Sequence, residues 1–497
     1  MRPVTHKHAV LAAVFLAWGF LPCEARSFAG ETGQRTSASG ETPQNNAFRM
    51  RKFDLDVAID YPNEQLSGEA RLELENWTRS PATTVSLLLN RLMKFQTVRS
   101  AGGALLPVSQ EIVTFSDSAK QQVNRLLVRL PTPVPPGRRT SLSLRYAGYL
   151  VGYTETGSLY IQDRIAPEFT ILRADAFAFP VVAAPSWETN KSVPIVDFAF
   201  ETRVTVPEGL TVACGGELVS KGADGNLRTW HYRSRAPVPF LNIAIAKYDL
   251  RDENGIRLYS FPKDAAGAQR VMQGAGRALE LFTRWFGPLG APPRIVLIEI
   301  PENWGSQASL TGGIVLAADS FQRAAELSPL YHEISHLWNA PDTERLSPRW
   351  SEGLASYVQR KMMQELDGWR GLQGDFDVQA RRMLEMGRKD PKLATTPFAA
   401  YGRESMTDYS YSVGAICFYL LDRVVGTQKF NEIVGGYYQE YRRKGGNSSD
   451  FVAFAESRGG VPAKKVLNDW FSSTRWWDRL HAGESLEEME RSYLKAP

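Results

Sequence analysis

Tyr331-His332-Glu333-Ile334-Ser335-His336-Leu337-Trp338 reads as a stretch of helix with a metal site on one face. His332 and His336 are four residues apart, so both rings project from the same side of the helix. Two imidazoles held that way can bind one zinc ion, and Glu333, one residue further round, can reach a water beside it. A catalytic zinc takes three protein ligands and keeps a fourth position open. The chain offers a third ligand at Glu352, sixteen residues beyond His336, in Trp350-Ser351-Glu352-Gly353-Leu354-Ala355-Ser356-Tyr357. That segment reads as the first turn of a second helix. A solvated helix face could carry the same residues. Histidine is scarce here, however: after residue 29 only His231, His332, His336 and His481 occur.

The rest of the chain sets bounds on the reading. Its 497 residues suggest two or three domains, and 43% hydrophobic with 23% charged residues is an ordinary globular composition. Net charge is +4 with the signs interspersed, which gives nucleic-acid binding no support. Arg2 and Lys7 precede an apolar run from Ala9 to Leu21. That run is too short to span a bilayer and sits where a secretory leader has its apolar core. The expectation is a signal peptide over 1–29, cleaved at Ala25 or Ala29, and an exported protein, periplasmic or extracellular, without stable membrane insertion. Cys214 and Cys417 lie far apart in apolar patterns and read as buried free thiols.

Residues 30–47 are polar and small, a disordered linker. From Phe48 the period becomes two: Phe53, Leu55, Val57 and Ile59 alternate with polar or small residues, as do Ala70, Leu72 and Leu74. Turn signals such as Tyr61-Pro62-Asn63-Glu64 separate the runs. This predicts an antiparallel β domain over 48–252. From Pro262 the period turns helical, with a helix over Asp264–Phe286 ending at Gly287. Strands follow at Arg294–Ile300 and Ile314–Ala317, around a small-residue loop at Gly305–Gly313. Helices are expected at Ala324–Trp338, Ser351–Glu365, Thr407–Val425, Lys429–Lys444, Ser449–Ser457 and Ala463–Leu480. The catalytic domain spans 253–482, and 483–497 reads as a C-terminal tail. The class is α+β.

HEISH followed by Leu-Trp, then Trp-Ser-Glu-Gly, resembles the gluzincin metallopeptidases, and more closely the aminopeptidase N family that includes leukotriene hydrolase. Phe177-Ala178-Phe179-Pro180 resembles that family's Arg-Ala-Phe-Pro segment. Pro237 to Tyr248 resembles the segment that closes its β domain. Tyr411-Ser412-Val413-Gly414-Ala415 resembles its Tyr-x-x-Gly-Ala motif, which carries a catalytic tyrosine. The resemblance covers about residues 48 to 480. It implies a saddle-like β domain followed by a thermolysin-like, mainly helical catalytic domain with one zinc per chain.

Three departures stand out. The gap from His336 to Glu352 is shorter than the family's. The family's Gly-x-Met-Glu-Asn loop, whose glutamate grips the substrate's free amine, has two candidate registers. One is the literal Glu302-Asn303-Trp304-Gly305; the other, which the flanking strands favour, is Gly305 to Thr311, where Gln307, Ala308 and Ser309 stand. As part of the same departure, the second amine anchor, expected after Thr170, meets Ile171 and Leu172. Finally, the family's large helical C-terminal domain has no counterpart before Pro497.

The expected activity is zinc-dependent hydrolysis of peptide bonds in a peptide or protein substrate. His332, His336 and Glu352 hold the metal and Glu333 serves as general base. Tyr411 steadies the oxyanion by resemblance, with Tyr409 as the alternative. Asn339 and Asp342 are candidates to orient the histidines. Gln307 and Glu302 are the candidate substrate-binding residues. Two other readings stay open: a gluzincin-fold binding protein with weak or no turnover, and an endopeptidase rather than an aminopeptidase.

Overall fold

A computed structural model describes residues 47–495 except 192–196, 291–293, 310–312, 324–326, 344–348, 403 and 405. The expected leader, and the linker up to residue 46, lie outside the described residues. Period-two burial builds the N-terminal part. In the strand Phe48–Asp60, Phe53, Leu55, Val57 and Ile59 are buried while Ala58 and Asp60 are exposed. This is the alternation that one buried sheet face imposes.

Three sheets result. The seven-stranded one runs Glu217–Asp224, Leu227–Arg233, Ala199–Pro207, Phe48–Asp60, Gln65–Asn76, Arg139–Tyr149, Met93–Ser100. A four-stranded sheet centres on Ser118–Val134 and Ala82–Asn90, and a three-stranded one contains Thr211–Cys214, Ile243–Ala246 and Thr170–Leu172. One pairing departs from the antiparallel expectation: Phe48–Asp60 runs parallel to Ala199–Pro207, with Lys52 opposite Ala199. Burying one face gives the same period in either direction, so alternation alone cannot reveal it.

The chain then enters a mixed five-stranded sheet, in the order Asp249–Glu253, Ile256–Ser260, Ile295–Ile300, Gly313–Ala317, Gln307–Ser309. Its inner pairs are parallel and its two outer pairs antiparallel. Its first strand takes up residues that the period-two reading gave to the β domain. Every residue of Ile295–Ile300 is buried. Ile295 and Leu297 face the helical core, whereas Val296, Ile298 and Ile300 pack with Phe169, Ile171 and Tyr248 from the β part. This strand is the layer joining the two halves, and both belong to one compact unit, 44–497. The segment read from sequence as a loop over Gly305–Gly313 contains the edge strand Gln307–Ser309.

Helices complete the fold. Ala265–Phe286 buries Val271, Ala275, Ala278 and Phe282 and stops at Gly287, whose φ is 84°. The motif helix is shorter than expected. It runs Ser328–Ser335 and tightens into a 3-10 turn at His336–Trp338. Arg349–Asp367 follows. The stretch expected as one helix from Thr407 is instead a 3-10 turn at Thr407–Tyr409, a π turn at Ser410–Gly414 and a helix at Ala415–Val425. The expected tail carries a helix, Leu486–Leu494, opened by a Ser485–Glu488 capping box and packed into the core through Met489 and Tyr493. Among the described residues no helix is long and apolar enough to cross a membrane. Cys214 and Cys417 are buried free thiols.

Candidate active site

The motif helix and the Arg349–Asp367 helix bring three ligand atoms together. Nε2 of His332 lies 3.1 Å from Oε2 of Glu352, and Nε2 of His336 lies 3.5 Å from the same oxygen. A tetrahedral zinc with bonds of about 2.0–2.1 Å sets its ligand atoms about 3.4 Å apart, so the separations suit that ion. Among the described residues this is the single group of three His, Cys, Asp or Glu with ligand atoms so close. The rings of His332 and His336 stand 4.9 Å apart and nearly perpendicular. The four-residue spacing therefore survives the switch to a 3-10 turn at His336.

Each histidine is oriented through its other nitrogen. Nδ1 of His332 donates to Oε1 of Gln359 at 2.6 Å, which leaves the Nε2 lone pair for a metal. Nδ1 of His336 lies 2.8 Å from Nδ2 of Asn339. Turned over, the Asn339 amide offers its oxygen to Nδ1–H instead, the arrangement a metal-bound Nε2 requires. Asp342, the other candidate for this task, sits in an isolated bridge to Gly446. Sequence reading missed Gln359. The available signal was its place seven residues after Glu352, two turns along the same helix face.

The two carboxylates are held in different states. Burial would raise Glu352, but the imidazoles of His336 and His332 hold its carboxyl well below the usual range. Glu333 is 8% exposed. Burial pushes its carboxyl up to about 7; His332 opposes that rise and Glu352 adds to it. A carboxylate poised near neutrality beside a metal site is suited to taking and returning a proton.

The π turn supplies the tyrosine. The Tyr411 ring stacks on His332 at 6.0 Å and 18°. The hydroxyl end is desolvated and lies near Glu352 and Glu333, so the phenol stays protonated although 43% of the residue is exposed. Tyr409 points elsewhere and donates to Oδ2 of Asp390 at 2.8 Å. A single π turn of this kind often marks a functional position.

The candidate substrate residues divide. The edge strand Gln307–Ser309 lies beside the motif helix and its 3-10 turn, with Ala308 packed on the helical core. Oε1 of Gln307 accepts from Asn242 at 2.9 Å. Glu302 is exposed and pairs with Arg323 at 2.9 Å. Two glycines lock the site's halves together. A Cβ on Gly353 would lie 2.6 Å from Cα of Gly414, so the Glu352 helix and the tyrosine turn touch backbone to backbone.

No family model matches the chain. A probable aminopeptidase 2 of Sulfurisphaera tokodaii is 23% identical over 346 residues, 62% of this chain and 44% of the relative. The leucyl aminopeptidase of Saccharolobus solfataricus is 23% identical over 305 residues, 56% of this chain and 38% of the relative. The chain thus spans less than half the length of these curated relatives. A solved M1 zinc metallopeptidase from Deinococcus radiodurans shares the fold with a TM-score of 0.62 at 19% identity, over 85% of this chain and 94% of that one. A mutant of that protein has been solved bound to a Tyr-Ser-Ala substrate.

Proposed function

We propose that this chain, which resembles curated aminopeptidases in sequence and a solved M1 zinc metallopeptidase in fold, is an exported zinc peptidase of the aminopeptidase N-like gluzincin kind. One observation carries the reading: His332, His336 and Glu352 converge at zinc-ligand separations with Glu333 buried beside them. The reading keeps the saddle-like β domain and the thermolysin-like catalytic domain that the resemblance implies, and the basic-then-apolar start at Arg2–Leu21 supports export.

When bound by His332, His336 and Glu352, one zinc supplies a Lewis acid that polarises a carbonyl and acidifies water. Gln359 and Asn339 hold the two imidazoles in the tautomer that frees Nε2. Glu333 accepts the proton of the attacking water and returns it to the leaving amine. Tyr411 donates its hydrogen bond to the oxygen that gains charge in the transition state. The peptide's main chain lies along the edge strand Gln307–Ser309, which among the described residues has no further strand on its outer side.

Specificity follows from what that strand lacks. A buried ammonium needs a carboxylate to offset its desolvation. The strand offers Gln307, Ala308 and Ser309, and Glu302 is engaged by Arg323. These observations support weak preference for a free amine, with cleavage of N-blocked peptides as well. A fluorogenic panel of matched free-amine and N-blocked peptides, with and without chelator, tests this. The expected result is chelator-sensitive hydrolysis of both sets. Hydrolysis of free-amine substrates only, abolished by Glu302→Ala, would restore a strict aminopeptidase; absent turnover would favour a binding protein, and turnover that survives the chelator would overturn the zinc mechanism.

A further inference from the structure

The loop over 301–306 delivers the edge strand Gln307–Ser309 to the metal motif, and its backbone is left-handed at two places: Asn303, φ 66°, and Gly305, φ 76°. Asparagine and glycine tolerate that region but do not enforce it. The loop's geometry is imposed by the β part. Nη1 of Arg173 donates to the Trp304 carbonyl at 3.1 Å, and its Nη2 donates to the Tyr160 carbonyl at 2.8 Å. The same guanidinium grips Asp163 bidentately, Nε to Oδ1 at 2.9 Å and Nη2 to Oδ2 at 2.8 Å. Arg173 is 4% exposed and Asp163 0%, so the guanidinium cannot swing away without stranding a buried carboxylate. Only arginine has the planar fork for this set of acceptors. Gln162 adds a bond to the Asn303 carbonyl at 3.1 Å, and Phe169 meets the Trp304 ring edge-on at 5.1 Å. Gly305 packs on Tyr160, where an added Cβ would stand 3.3 Å away.

We propose that Arg173, locked by Asp163, is a positioning residue for the peptide substrate: through the Trp304 carbonyl it fixes the loop over 301–306 and so the placement of the edge strand beside the motif helix. The proposal rests on the zinc-peptidase reading and gives the β part a task in the reaction. An extended peptide pairs along the whole strand and suffers when the strand drifts. An amino-acyl arylamide makes little use of the strand and does not.

The test removes both buried charges together, Arg173→Met with Asp163→Asn, so that neither is left unpaired. Hydrogen exchange is followed over 301–309 and over the motif helix, and KM and kcat are measured for a tetrapeptide and for an amino-acyl arylamide, zinc-saturated. The expected result is faster exchange over 301–309 with the motif helix unchanged, and a tetrapeptide KM raised about tenfold while arylamide kinetics stay within about twofold. A purely structural role would instead lower both rates together, in proportion to the folded fraction, and leave KM alone. Unchanged exchange over 301–309, or faster exchange with an unchanged tetrapeptide-to-arylamide ratio, overturns the proposal. Should the double variant fail to fold, Gln162→Ala removes only the bond to Asn303 and must give the same pattern at smaller amplitude. If the unaltered protein cleaves no peptide, the peptidase reading fails on its own, and the exchange measurement still decides whether Arg173 holds the loop.

Discussion

Gly353→Ala should separate the two halves of the site. Glu352 opens one helix, Tyr411 stands on the π turn, and the two meet through the Gly353–Gly414 backbone contact. A Cβ at Gly353 would lie 2.6 Å from Cα of Gly414, 3.0 Å from its carbonyl carbon and 3.1 Å from the carbonyl oxygen of Ser410. All three are backbone atoms, so no side chain can rotate away. Ordinary carbon–carbon contact is about 3.5–4.0 Å, so helix and turn must part by about 1 Å along that line. Overpacking of this kind costs about 1–3 kcal/mol of stability. A displacement of about 1 Å within a reacting constellation costs about a hundredfold in rate. The assay is peptide turnover at saturating zinc alongside thermal unfolding. We expect kcat down about a hundredfold, with a lowered but cooperative melt. Gly276→Ala is the control: nothing lies within 4 Å of its added Cβ in the helix Ala265–Phe286, so it should stabilise by up to about 1 kcal/mol. Wild-type turnover and melting in Gly353→Ala would refute the claim that this contact sets the geometry.

Two further perturbations separate structure from chemistry. Gln359→Leu removes the acceptor on Nδ1 of His332 and should weaken zinc affinity about 10- to 100-fold with the fold intact; metal competition titration reads it, and unchanged affinity would deny Gln359 its orienting part. Glu299 is fully buried, and burial raises its carboxyl to about 9, with the Phe261 N–H opposing the rise and Asp264 adding to it. An acid whose folded pKa lies above its unfolded value of about 4.3 binds more protons when folded. The stability this carries is full below about pH 4.3 and is lost as pH climbs toward 9. Glu299→Gln should therefore match the wild type near pH 4 and exceed it by up to ~3 kcal/mol at pH 7, as denaturant melts across pH will show; parallel curves would contradict it.

The candidate metal group was legible in the sequence because its signal is local. His332 and His336 share a helix face, and Glu352 opens the next helix. The sheets were readable for a similar reason, since a half-buried strand such as Phe48–Asp60 must alternate. What stayed hidden depends on partners distant in the chain. Gln307-Ala308-Ser309 has no periodicity, and becomes a strand only by pairing with Gly313–Ala317. Gly353 and Gly414 each belong to a motif, but that the two motifs meet backbone to backbone shows only once the segments touch. Tyr409 and Tyr411 differ by two positions, and the succession of a 3-10 turn and a π turn decides which one faces His332. Arg173 reads as one more charge in a β segment, whereas its partners Asp163 and Trp304 lie ten and 131 residues away.

The proposed chemistry stands on a single zinc held by His332, His336 and Glu352. Crystals grown with zinc and measured on both sides of the zinc absorption edge test it most directly. One strong anomalous peak is expected, with Nε2 of His332, Nε2 of His336 and a Glu352 carboxylate oxygen each at about 2.0–2.2 Å. A peak elsewhere, or another acid in the third position with Glu352 turned away, would contradict it.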